Sequence, residues 1–147
     1  MNNNNHHYMA VEMNNQTWSL LEKKDRSEQD DIQMINFAKA SLYHWRKSDK
    51  YTIVNEQRGK WLISRVYAIL GKSDEALSYA KETLEITEDN NLKDFDLGYA
   101  YEAMARAHSI SNNQNESKEW YKKAKVAGDL IVDKKDKKYF LLDLNSK

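Results

Sequence analysis

The chain has 147 residues, no cysteine, no proline and four glycines. Disulfides, thiolate catalysis and cysteine-ligated zinc are therefore excluded, and so small a supply of turn formers suits long helices better than a many-stranded sheet. The 23 basic and 23 acidic residues cancel, leaving no global field to draw nucleic acid or an anionic membrane.

The length fits one domain, and the fold class is all-α. Residues 1–7, an asparagine run ending in His6 and His7, read as a disordered leader with no assigned metal. The leader lacks the apolar segment of a secretory signal. No later run reaches the ~18 apolar residues of a membrane span, so a cytoplasmic location without a membrane partner is expected. From residue 8 to 147 a single helical domain follows. Met9, Met13, Trp18 and Leu21 keep helical spacing until a break near Lys24 to Ser27. Ser27 with Glu28, Asp30 and Asp31 predicts a helix start, because a side-chain oxygen caps free amides and acids suit the positive helix end. The helix that follows carries Met34, Ala38, Ser41, Leu42 and Trp45 on one face. These two helices form a first hairpin over about 8–48, its turn expected near Asp30.

Two further hairpins are expected over about 52–89 and 92–132. Asn55 and Asp96 read as caps of their first helices; Ser73-Asp74-Glu75 and Asn115-Glu116 open the returning ones. The tail from Lys134 to Leu144 starts polar and ends apolar, as a covering helix over about 135–145 would. Its lysines 134, 135, 137 and 138 read as a solvated helix terminus, so nucleic acid is not an expected partner.

The stretch from Trp61 to Ala80 resembles a tetratricopeptide repeat. Tyr67 matches that family's tyrosine, Gly71 its turn glycine, and Ala76 the small residue at which two helices cross. Sliding this unit by the 41 residues from Gly71 to Asn112 sets Met104, Ala105 and His108 against Ile63, Ser64 and Tyr67, and Ser117, Tyr121 and Ala124 against Ala76, Ala80 and Thr83. The period exceeds the usual repeat of about 34 residues, which points to longer helices. The resemblance implies an α-α superhelix of antiparallel hairpins, about seven helices in all, that acts as a non-catalytic scaffold for a protein or peptide.

In that family the first helix of each unit lines a concave groove. Leu62, Ile63, Val66, Tyr67 and Leu70 form a buried stripe, which leaves Arg58, Trp61, Arg65 and Ile69 for the groove, with Tyr99, Glu102, Arg106 and Ile110 as their counterparts. Arginines offer bidentate bonds to carboxylates, and the rings offer flat apolar area. The expected ligand is accordingly a peptide with an acidic or C-terminal carboxylate group. Two plainer readings compete: Glu102 and Arg106, four apart, pair with each other, and Trp61 belongs to the interhelical core.

The stretches Ser41 to Trp45, Asn55 to Trp61, Asp94 to Asp96 and Tyr101 to Arg106 also resemble an uncharacterised group of small bacterial tetratricopeptide-like proteins. This resemblance implies fold and transfers no catalytic residue. It adds His44 and Trp45 to the candidate partner-binding set. An alternative is a small-molecule site or enzyme around His44 and Glu102, with Asp94 as a second possible carboxylate. No metal motif, glycine-rich phosphate loop or nucleophile elbow is present, so neither catalytic residue nor cofactor is assigned. Self-association into a homodimer is open, since repeat arrays leave their ends poorly covered.

Overall fold

The computed structural model describes residues 2–145. Among the described residues there are seven α-helices: α1 (Asn3–Glu22), α2 (Glu28–Lys47), α3 (Ile53–Ile69), α4 (Ser73–Asp89), α5 (Phe95–Ile110), α6 (Gln114–Asp129) and α7 (Lys134–Asn145). No strand occurs among the described residues. Consecutive helices pair as α1 with α2, α3 with α4, and α5 with α6; α3 also lies beside α5, and α7 rests on α5 and α6.

The helix starts follow from short polar side chains. Ser27 and Asp30 exchange bonds at the head of α2: Asp30 N–H donates to Ser27 Oγ at 3.0 Å, and Ser27 N–H to Asp30 Oδ2 at 3.1 Å. Asp30 is thus inside the helix, and the first turn lies at residues 23–27 rather than at Asp30. At α3, Asn55 caps from within the first turn, its Oδ1 accepting from Thr52 N–H at 2.8 Å. The cap of α5 is Asp94, not Asp96, which is already helical. Residues 3–7, expected to be disordered, belong to α1; Asn2 caps them by accepting from Asn5 N–H at 2.9 Å. Met1 lies outside the described residues.

Two hairpins share their internal geometry. Gly71 and Asn112 both adopt left-handed backbone, with φ of 73° and 61°, a conformation glycine takes freely and asparagine tolerates. The residue after each donates back to an equivalent carbonyl, Lys72 to Tyr67 and Asn113 to His108, both at 2.9 Å. Where α3 crosses α4, Ser64 Oγ donates to the Ala76 carbonyl at 2.8 Å; where α5 crosses α6, Ser117 Oγ donates to the Ala105 carbonyl at 2.8 Å. The same two positions touch in each hairpin, with the donor moved to the opposite helix. Small residues at both places let the backbones come that close.

The main core gathers Met34, Ala38 and Leu42 from α2, Leu62, Ile63 and Val66 from α3, and Ala76 and Ala80 from α4. A second core forms around Phe140 of α7, which is fully buried. A β-carbon at Gly128 would sit 2.6 Å from the Phe140 ring, and one at Gly98 3.0 Å from it. The absence of side chains on α5 and α6 at these points is what lets α7 dock.

Candidate functional site

Helix α1 meets α3 through the stacked rings of Trp18 and Trp61, 6.1 Å between centroids. Beside this contact α1, α3, α5 and α7 enclose a cavity of about 330 Å³. Each wall follows from helical spacing. Helix α3 presents Gln57, Arg58, Trp61 and Leu62, α5 presents Phe95, Asp96 and Tyr99, α1 presents Asn14 and Trp18, and α7 presents Tyr139 and Asp143. The volume lies at the lower end of the range for small-molecule and side-chain pockets, about 300–1,000 Å³.

The aromatic wall is internally ordered. Trp61 meets Tyr99 edge to face at 5.1 Å, Phe95 lies 4.7 Å from Tyr99, and Tyr99 stands perpendicular to Phe140 at 4.8 Å. Gln57 fixes the floor: buried, it donates from Nε2 to Thr87 Oγ1 and to the Asp96 carbonyl, both at 3.1 Å. Asp94, with φ of 62°, holds a strained backbone at the mouth of α5. Its carboxylate accepts from Phe95 N–H at 2.8 Å and from Val132 N–H at 3.0 Å, which ties the approach to α5 to the approach to α7.

Every arginine of the expected groove has a carboxylate partner within the chain. Arg58 Nε donates to Asp96 Oδ1 at 2.9 Å and lies over the Phe95 ring. Arg65 reaches Asp143 Oδ2 at 3.5 Å, its guanidinium lying 5.8 Å from the ring centroids of both Trp18 and Trp61. Arg106 pairs with Glu102, which is fully buried and also accepts from Trp61 Nε1 at 3.4 Å. Burial pushes the Arg106 guanidinium below its ordinary pKa, against the pull of Glu102. Tyr99 donates to Asp143 Oδ2 at 3.2 Å, and burial followed by the Asp143 charge raises its phenol well above the usual range.

The eight sequence candidates therefore separate. Arg58, Trp61 and Tyr99 line the cavity, and Arg65, outside the lining, lies over the Trp18 and Trp61 rings. Glu102, fully buried, and the half-buried Arg106 form an ion pair beside Trp61. Trp45 lines a smaller neighbouring cavity of about 210 Å³ that shares Asn14, Arg58 and Leu62 with the larger one. His44 lies elsewhere. Its Nδ1 is 2.9 Å from His6 Nδ1, so that one ring donates to the other, and its ring packs against Tyr43. His44 thus packs on His6 and Tyr43, while Glu102 holds Arg106 and Trp61.

Eight wall residues were outside the expected set: Asn14, Trp18, Gln57, Leu62, Phe95, Asp96, Tyr139 and Asp143. Trp18 was visible as part of an apolar stripe and Asp96 as a helix-start acid. Nothing local in the sequence brings Tyr139 or Asp143 to α3. A second ionic cluster stands apart from the cavity. Glu56 accepts from Arg46 Nε at 2.8 Å and from Tyr51 Oη at 2.8 Å, while Lys60 bridges Glu56 at 3.4 Å and Glu82 at 3.0 Å.

The chain matches no family model, no curated protein and no solved structure. No helix among the described residues is long and apolar enough to cross a membrane.

Proposed function

We propose that this chain is a non-catalytic, tetratricopeptide-like recognition domain that takes a segment of another protein or a peptide into the cavity between α1, α3, α5 and α7. The observation that carries this reading is a pocket-sized space walled by five aromatic side chains. Rings of this kind give large contact area with few rotatable bonds, so little entropy is lost on binding. One anchor side chain that buries roughly 100 Å² of apolar area gains about 2.5 kcal/mol. Micromolar affinity needs about 8 kcal/mol, so flanking contacts along α3 and α5 must contribute as well. Orientation would come from the charged rim at Arg58 and Asp96. In this reading the protein works in the cytoplasm, and Glu102 and Arg106 serve to hold Trp61 in place rather than to perform chemistry.

The test is selection of peptides from a random library against the immobilised protein, followed by NMR mapping of the best binders. Binding is expected to shift the indole N–H signals of Trp18 and Trp61 and to weaken in Tyr139→Ala, a change at an exposed wall position. Peptides that bind while leaving both indoles unshifted would overturn the assignment of the site.

A further inference from the structure

We infer that the cavity selects a cation, a guanidinium or alkylammonium group such as an arginine or lysine side chain of the bound segment, which takes the place of Arg58 on Asp96. This inference rests on the proposal that the cavity is a recognition site, and it reverses the charge that the arginine-rich sequence suggests.

Three observations carry it. The walls hold two carboxylates: Asp143 is already held by Arg65 and Tyr99, and Asp96 has the lining Arg58 as its cation. The two members of the Arg58–Asp96 pair are unequally placed: the arginine side chain is 59% exposed and the aspartate 14%. Releasing Arg58 into water therefore changes its surroundings little, whereas Asp96 cannot follow and needs a replacement donor. An anionic ligand that drew Arg58 away would leave the shielded Asp96 without its cation; a cationic ligand replaces it. Finally, the aromatic surfaces already accept guanidinium groups. Arg58 lies 5.8 Å from the Phe95 centroid, and Arg65 lies at the same distance from Trp18 and from Trp61. The side chain of Arg58 thus acts as an internal occupant of a cation–π and carboxylate site.

The test compares three probes of similar size by NMR titration: N-acetylarginine amide, N-acetylnorleucine amide and N-acetylglutamate amide. The arginine probe is expected to shift the Trp18 and Trp61 indole signals and to bind about tenfold tighter than the norleucine probe. Arg58→Ala, a change at an exposed side chain, is expected to tighten arginine binding about threefold or more, because it removes the competing internal cation. Asp96→Asn, nearly isosteric, is expected to weaken it about tenfold, with an unchanged circular-dichroism spectrum showing that the fold is intact. Equal binding of the arginine and norleucine probes would leave an apolar recognition pocket and overturn the charge selection alone. Weaker arginine binding by Arg58→Ala, or preference for the glutamate probe, would also overturn the charge selection. If none of the probes and no selected peptide moves the indole signals, the recognition site itself falls.

Discussion

Two arginine–carboxylate pairs on different parts of the molecule differ in kind. Around Glu56, one carboxylate receives Arg46, Tyr51 and Lys60 together, and its pKa is held at about 2 instead of the ordinary 4.5. The hydrogen bonds from Arg46 are the main cause, with Tyr51 and the charge of Lys60 adding to them against the cost of burial. Around Asp96, a shielded carboxylate pairs with the exposed Arg58 beside an aromatic cavity. The first arrangement pins α2 to α3 and closes on itself. The second bridges α3 and α5 with a partner that water can take back. Multiplicity of donors, more than the presence of an arginine, separates a structural ion pair from one available for exchange.

The largest expected effect breaks one side of this contrast without touching the other. Phe140→Ala should cost about 3–5 kcal/mol, the usual loss for a buried phenylalanine, and should loosen α7, which supplies Tyr139 and Asp143 to the cavity. Denaturant unfolding gives the stability, and hydrogen exchange should show faster opening of α7 while the α2–α3 region around Glu56 keeps its protection.

Glu56→Gln comes next, at about 1–3 kcal/mol, because it removes the negative charge that Arg46 and Lys60 share. The same carboxylate makes stability depend on acid. Its folded pKa lies below its unfolded value, so its contribution is fully present above about 4.5 and is lost as pH falls toward 2. Acid titration of unfolding should show this loss in the wild type and a shallower slope in Glu56→Gln. Asp96→Asn should cost less, under about 1 kcal/mol, since its partner is mostly in water. Arg58→Ala should fall within about 0.5 kcal/mol of the wild type. A stability loss at Asp96 equal to that at Glu56 would erase the contrast.

The smallest effect lies near neutral pH. Burial first, then the charge of His6, lowers the pKa of His44 below 6.5. The folded state therefore favours the neutral ring; its contribution is present above 6.5 and is lost as pH falls through the lower folded value. A modest drop in melting temperature between pH 7.5 and 5.5 is expected, and it should shrink in His44→Gln.

Much of the fold was legible because it is encoded locally. Ser27 and the acids after it marked the start of α2. The 41-residue shift set Ser64 against Ala105 and Ala76 against Ser117, the pairs that carry the crossing hydrogen bonds of the two hairpins. Asn112, a poor match to glycine by identity, meets the same backbone need through its left-handed φ. The failures have tertiary causes. An asparagine run has weak helix propensity, yet residues 3–7 are helical, with His6 packed on His44 and His7 on Trp45. The first turn departs from the 41-residue register because α1 and α2 are longer than their later counterparts. Three of the eleven wall residues were visible, as Arg58, Trp61 and Tyr99. The partners that neutralise the site's arginines were not, since Asp143 lies 78 residues from Arg65 and reaches it only through the docking of Phe140.

The most direct measurement is a pair of double-mutant cycles on unfolding free energy, one for Arg58 with Asp96 and one for Arg46 with Glu56. A coupling below about 0.5 kcal/mol is expected for the first pair and above about 1 kcal/mol for the second. A coupling at Arg58–Asp96 as strong as that at Arg46–Glu56 would mean that the cavity's ion pair is structural and closed to exchange.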